Sequence, residues 1–291
     1  MRSRWIGWPK RPWLVSVFVA ALLPAASVLG AGPDDTSGAS TRDASSAGQA
    51  VNESQREAAG LLSAMTQHLA GLESFSFAFR DGYDVVQPTG QKIEFGEARR
   101  VTVVRPDRLR IEEVSSDGTH DLAVFDGRNI SVLNADEGVF AQAPQPGILD
   151  DAIAYFVRDL RLRMPLALLL TTRLPESLPG RLRSIDYVER TEILGRPAHH
   201  IAGRAENVDF QFWIEDGERP WPLRVVITYV NSPGQPQFWA NFAEWNTNPA
   251  LAKSTFEFTP PPGARQIAFA VQVRRDAGTA QLPDASGEVR P

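Results

Sequence analysis

Near Leu72 the hydrophobic period of this chain switches from three-to-four to two, and apart from one interruption it stays at two almost to the end. From Glu53 to Leu72, the residues Ala58, Leu61, Leu62, Met65, Leu69 and Leu72 form one apolar stripe at helical spacing. Phe75, Phe77, Phe79, Tyr83 and Val85 then alternate with Ser76, Ala78, Arg80 and Asp84, the pattern of a half-buried strand. Pro88-Thr89-Gly90 turns the chain, and Ile93 and Phe95 resume the alternation towards Val101 and Val103. After Arg105-Pro106-Asp107 come Leu109 and Ile111. Leu122–Phe125 and Ile130–Leu133 flank Asp126-Gly127, a pair suited to a tight hairpin turn. Strands that follow one another through such short turns pair antiparallel.

The interruption runs from Asp150 to Leu170. Ile153, Phe156, Val157 and Leu160 have helical spacing, and Pro165 suits the first turn of a second short helix through Leu170. Beyond Pro179-Gly180 the strands return as Ile185–Leu194, Ala198–Gly203, Val208–Glu215, Leu223–Val230 and Gln237–Asn246. The class is α+β. About ten strands and three helices are best satisfied by a large curved antiparallel sheet, an open and incomplete β-barrel, with helices covering its concave side.

The ends have a different composition. Arg2, Arg4, Lys10 and Arg11 precede an apolar run from Trp13 to Leu29, the layout of a secretory signal peptide over residues 1–30, with cleavage after Ser27 or Gly30. At 17 residues and with Pro24 inside, the run is short for a membrane anchor, which needs roughly 20. Residues 31–52 are rich in Gly, Ala, Ser, Thr and Asp and read as a disordered linker; residues 274–291 read as a flexible tail, leaving one domain over residues 53–273. Export removes ATP and NAD as routine substrates and places the protein in the periplasm. Four of the 30 basic residues and none of the 35 acids lie in the first thirty positions, so the remainder carries a formal charge of about −9. That charge argues against nucleic acid as a partner. Cysteine is absent, which excludes disulfides, thiol catalysis and cysteine metal sites.

Chemistry-bearing patterns are sparse. His199 and His200 are adjacent and point to opposite faces of a strand, so they cannot chelate one ion together. His68 has no His or acid four residues away, and His120 with Asp117 and Asp121 makes at most a weak surface site. No serine sits in a glycine-flanked elbow, no glycine loop cradles phosphate, and Glu112-Glu113 and Asp150-Asp151 are mere sequence neighbours. The expectation is a protein that is not an enzyme, with no metal and no cofactor.

The aromatics are more informative. Phe75, Phe77, Phe79, Phe95, Phe210, Phe212, Phe238 and Phe242 fall on one alternating face of their strands. Such a face builds a hydrophobic core, or it lines a groove for an acyl chain. These eight are the candidate ligand-binding residues. Trp213, Trp239 and Trp245 have the opposite parity, which would stand some of them on the outer face as a docking patch.

Many short stretches together resemble a predicted periplasmic protein family of unknown function. They are Gly82-Tyr83-Asp84, Gly90-Gln91-Lys92-Ile93, Arg105-Pro106-Asp107-Arg108-Leu109-Arg110, Phe125-Asp126-Gly127, and Pro165-Leu166-Ala167-Leu168-Leu169-Leu170. Trp213-Ile214-Glu215-Asp216, Pro222-Leu223-Arg224 and Phe256-Glu257-Phe258-Thr259-Pro260-Pro261 continue the likeness, which spans about Glu53 to Ile267. That family is similar in architecture to the lipoprotein carrier LolA and its receptor LolB. The resemblance implies an incomplete barrel around a hydrophobic cavity with helices as a lid, and it carries over no site residue. The functional expectation is a binding protein that shelters a lipid, an acyl chain or a lipoprotein. The alternative is an envelope assembly module that recruits a protein through edge strands or exposed tryptophans.

Overall fold

A computed structural model describes residues 41–160 and 166–269. The first helix, α1 (Thr41–Ala70), is followed by six strands: β1 (Ser74–Val86), β2 (Lys92–Val104), β3 (Arg108–Ser115), β4 (His120–Phe125), β5 (Asn129–Asn134) and β6 (Val139–Pro144). The interruption contains α2 (Leu149–Arg158), a 3-10 turn at Ala167–Leu170 and the short α3 (Leu174–Ser177). The second run is β7 (Leu182–Ile193), β8 (Arg196–Ala205), β9 (Asp209–Glu215), β10 (Pro222–Thr228) and β11 (Gln237–Asn246), and a two-residue β12 (Arg265–Gln266) ends it.

Among the described residues these twelve strands form one sheet in the order β12-β6-β5-β4-β3-β2-β1-β11-β10-β9-β8-β7. The strands β1–β6 and β7–β11 are two antiparallel meanders, and the pairing of β1 with β11 welds the two together. The end strands do not pair with one another, so the barrel is open. The expected α+β class and open antiparallel sheet are what the molecule has. Two strands lie beyond the sequence reading: β6, whose Val139–Pro144 run is short, and β12, which is parallel to β6 and far away in sequence.

The helix α1 starts at Thr41, so the stretch read as linker is helical from Thr41 on. Helix propagates easily from an established nucleus through residues such as Ala44, Ala47, Gln49 and Ala50, with no apolar stripe of its own. Its buried stripe, Ala58, Leu62, Met65 and Leu69, lies over the second meander. The second short helix is a 3-10 turn instead, and Pro165 lies outside the described residues, as do the segments 1–30 and 274–291.

Two close approaches fix the sheet surface. Gly82 is opposite Trp239, whose indole lies 2.7 Å from where a β-carbon would stand, and Gly203 is likewise covered by the ring of its register partner Phe210. The Asp126-Gly127 hairpin forms as expected: Gly127 has φ +82°, and Asp126 Oδ1 accepts the N–H groups of Arg128 at 2.9 Å and Asn129 at 2.7 Å.

Candidate functional site

Strand register places all eight candidate phenylalanines on the concave face. Phe79 is opposite Phe242, Tyr83 opposite both Phe95 and Phe238, and Ile227 links Phe238 to Phe210. Phe212 sits one pair along, between Ile201 and Val225. Seven of the eight are buried and Phe95 is partly so. They stack on each other, with Phe77–Phe79 centroids at 5.8 Å and Phe79–Phe242 at 5.7 Å.

The tryptophans divide. Trp213 and Trp239 stand on the convex face as their parity predicts, with the Arg224 guanidinium carbon 5.7 Å and 5.4 Å from their ring centroids. Trp239 Nε1 donates to Glu94, and His200 stacks on Trp213 at 4.1 Å. Trp245 corrects the sequence reading: it faces inward, stacked on Phe77 at 4.3 Å and on Trp221 at 4.6 Å. The cause is a bulge in β11, where Glu244 takes φ +55° and the register slips, reversing the parity beyond it.

The concave face also carries a charged row that sequence reasoning missed, lying between Phe79 and Tyr83 on β1 with Tyr83, Phe95 and Phe238 beyond it. In register across five strands lie Asp81, Glu97 and Arg99, Glu113, Asp121 and Asn134. Arg99 binds Asp81 through Nη1 at 2.6 Å, Glu113 through Nε at 2.8 Å, and Glu97. Burial works against its charge, but Glu113, Asp81 and Glu97 outweigh that and hold the guanidinium above its ordinary value. Asp121, next to Glu113, is pushed up to about 6, first by burial and then by the Glu113 charge. The signal that could have found the row is polar residues at the inward positions of five consecutive strands.

A second missed residue is Arg105, at the turn between β2 and β3. Its Nε donates to the carbonyl of Leu72 at 2.8 Å, Nη1 to Leu170 at 2.7 Å and Nη2 to Leu69 at 3.3 Å. One half-buried side chain thus gathers the carbonyl end of α1 and the end of the 3-10 turn, and it packs over the Phe75 ring at 5.6 Å. Burial lowers its pKa and nearby Asp150 opposes that shift. Asp150, itself buried, accepts from the Thr172 N–H at 3.1 Å and hydroxyl at 2.8 Å, tying α2 to the segment after the 3-10 turn. The end of α1 and the 3-10 turn are therefore tied to the sheet through Arg105, and α2 to the segment after that turn through Asp150, as well as by apolar packing.

The histidines do not converge. His68 meets Trp221 edge-on at 4.3 Å. His199 contacts Asp216 and the Tyr187 hydroxyl, while His200 contacts Gln211. His120 does not join Asp117 and Asp121: its ring lies 3.3 Å from Asp136, because Asp121 is aimed into the concave row. Among the described residues no group of three or more His, Asp or Glu could hold a metal ion. A groove of about 610 Å³ lies elsewhere, between α1 and the edge strand β7, and none of the eight phenylalanines lines it.

The fold and the helix-covered apolar face together define a protein with an open antiparallel half-barrel. Over residues 58–270 the chain matches the model of the predicted periplasmic protein family DUF2092, and it belongs to that family. The family is described as periplasmic, in keeping with the expected location. No curated protein matches this chain. Among solved structures it is similar to lipoprotein LppX of Mycobacterium tuberculosis, with 15% identity, TM-score 0.45, and 68% of this chain and 100% of that one covered. An uncharacterised conserved protein of Thermus thermophilus is similar at 12% identity and TM-score 0.44, covering 73% and 99%. A LolA superfamily protein of Nitrosomonas europaea is similar at 9% identity and TM-score 0.32, covering 69% and 97%.

Proposed function

We propose that the protein is a non-catalytic periplasmic binding protein that shelters a lipid, an acyl chain or the lipid of a lipoprotein against its concave face. The observation that carries this reading is the convergence of phenylalanines from both meanders under a roof made of helices. Phe75, Phe77, Phe79, Phe95, Phe210, Phe212, Phe238 and Phe242 are the proposed lining. With the roof in place these rings pack on one another in the same core as the α1 stripe, so a ligand enters by exchange: α1 or the Asp150–Leu170 segment swings away and an acyl chain takes its place. Each buried methylene contributes about 0.8 kcal/mol, and ten would supply about 8 kcal/mol before ordering costs and the re-exposure of the α1 stripe are subtracted. Arg105 supports the same picture, since a tie made to backbone carbonyls releases without unpacking the sheet.

Native mass spectrometry of protein purified gently from the periplasm, with extraction of whatever co-purifies, tests this reading. The expected result is a discrete lipid or acylated species, and saturable binding of a dansyl-labelled fatty acid after its removal. A clean apo mass together with no binding of the labelled acid below about 1 mM, a standard free energy of roughly −4 kcal/mol, would rule the carrier reading out.

A further inference from the structure

The groove of about 610 Å³ lies beside the free edge of the sheet. One wall is the helical stripe Asn52, Gln55, Arg56 and Ala59 of α1; the other is the opening of β7, Leu182 to Ile185. These helix positions recur at three and four, so a single helix face looks at the strand.

The strand's backbone is oriented towards this groove. Ser54 Oγ accepts from the Tyr187 N–H at 3.0 Å and donates to the Tyr187 carbonyl at 3.2 Å, so both groups of Tyr187 point away from β8. Backbone groups alternate sides along a strand. The N–H and C=O of Ile185, two residues earlier with no bulge between, therefore point the same way, into the groove. Ser54 acts as a stop: it takes the place of a neighbouring strand at Tyr187 and leaves the stretch before it facing open space. The lining contains two exposed guanidinium groups, Arg56 and Arg183, and no carboxylate. Glu53 and Glu57 are on the same helix but fall outside the lining.

We propose that this groove receives an extended acidic peptide segment of a partner protein, which adds a short strand to β7 with its carboxylates on Arg56 and Arg183. Strand addition draws affinity from main-chain hydrogen bonds and specificity from the alternating side chains. None of the eight phenylalanines lines the site, but it shares α1 with the roof of the concave face, so a lipid that displaces α1 also removes the groove's helical wall.

The test uses the full protein and a set of fluorescein-labelled heptapeptides: alternating Asp-Val, alternating Lys-Val, and the Asp-Val peptide N-methylated at every second residue in each of the two possible registers. Fluorescence anisotropy is expected to show saturable binding of the acidic peptide and at least tenfold weaker binding of the basic one. The double variant Arg56→Glu/Arg183→Glu, at two exposed positions, is expected to reverse that order. One methylation register should abolish binding and the other spare it, because only alternate peptide N–H groups face β7. Equal binding of both charges, or indifference to N-methylation in both registers, overturns the proposal. So does a peptide that merely competes with dimerisation of the protein in sedimentation, since the occupant would then be a second copy. The labelled fatty acid is titrated in parallel, so that loss of lipid binding and loss of peptide binding are read separately.

Discussion

The concave face has two zones built on the same strands with the same parity. At one, Phe75, Phe77, Val101, Val103, Leu109, Phe125 and Ile130 are buried. At the other, a few residues along, stand Asp81, Glu97, Glu113 and Asp121 with Arg99 among them. Strand pairing treats both zones alike; what differs is the cost of desolvation. Helices lie over the apolar zone and bring to it one buried carboxylate, Asp150, which the Thr172 N–H and hydroxyl satisfy, whereas in the ionic zone one guanidinium binds three carboxylates at once. The junction is Phe79, whose ring carries the Arg99 guanidinium 5.6 Å from its centroid. The contrast teaches that alternation identifies the face of a strand but not where along it charge interrupts the core.

The largest effect should come from the apolar zone. Phe75→Ala is expected to cost about 3–5 kcal/mol in urea unfolding, since the ring is fully buried and its neighbours cannot all collapse into the space. Arg99→Leu should cost about 3 kcal/mol at pH 7 by stranding buried carboxylates. Part of that loss should return on acidification, as the stranded carboxylates take up protons. Arg100→Leu, whose partner Glu244 is exposed, should cost under about 1 kcal/mol and so gives the matched control. If the two arginine variants lose the same stability, the ionic zone is not the constrained site described above.

Arg105→Met should cost about 2 kcal/mol, the loss of charge-assisted bonds to carbonyls. Hydrogen exchange should speed up in the last turn of α1 and around Leu170 but not in β1 or β2; a uniform increase would mean that Arg105 supports the sheet and not its roof. The effect at Asp121 has the opposite sign. Its folded pKa, about 6, is above the ordinary 3.8, so the folded state prefers the protonated form, and ionisation removes stability as pH rises from about 4 to 6. Asp121→Asn should therefore raise the thermal midpoint at pH 7, change little at pH 4, and flatten the profile between them. A midpoint that falls at pH 7 would show that the carboxylate is held as a needed partner.

Much of this was legible in residue order. The inward phenylalanines, the hairpin at Asp126-Gly127 and the helical interruption follow from period and turn chemistry, which are local. What escaped is non-local or lies in the backbone. The bulge at Glu244 has no glycine to announce it, so Trp245 read as opposite in parity to the phenylalanines. The partners of Arg105 are carbonyls, which every residue has, so no side-chain pattern could reveal them. The charged row exists only once five strands are in register, and the shift of Asp121 needs both its burial and Glu113. The reach of α1 back to Thr41 lacked a stripe because side-chain periodicity marks packing and not helix as such.

The inward turn of Trp245 also makes the protein optically informative about its own interior. Trp245 and Trp221 are stacked, with ring planes 15° apart, and His68 of α1 touches Trp221. Stacked indoles in a fixed chiral setting couple their transitions and give near-ultraviolet dichroism, and a displaced imidazole changes their surroundings. Any event that lifts α1 from the sheet should thus be visible in the absorption and emission of residues already in place, with no attached dye. A single bulged residue has in effect wired the roof to a spectroscopic signal.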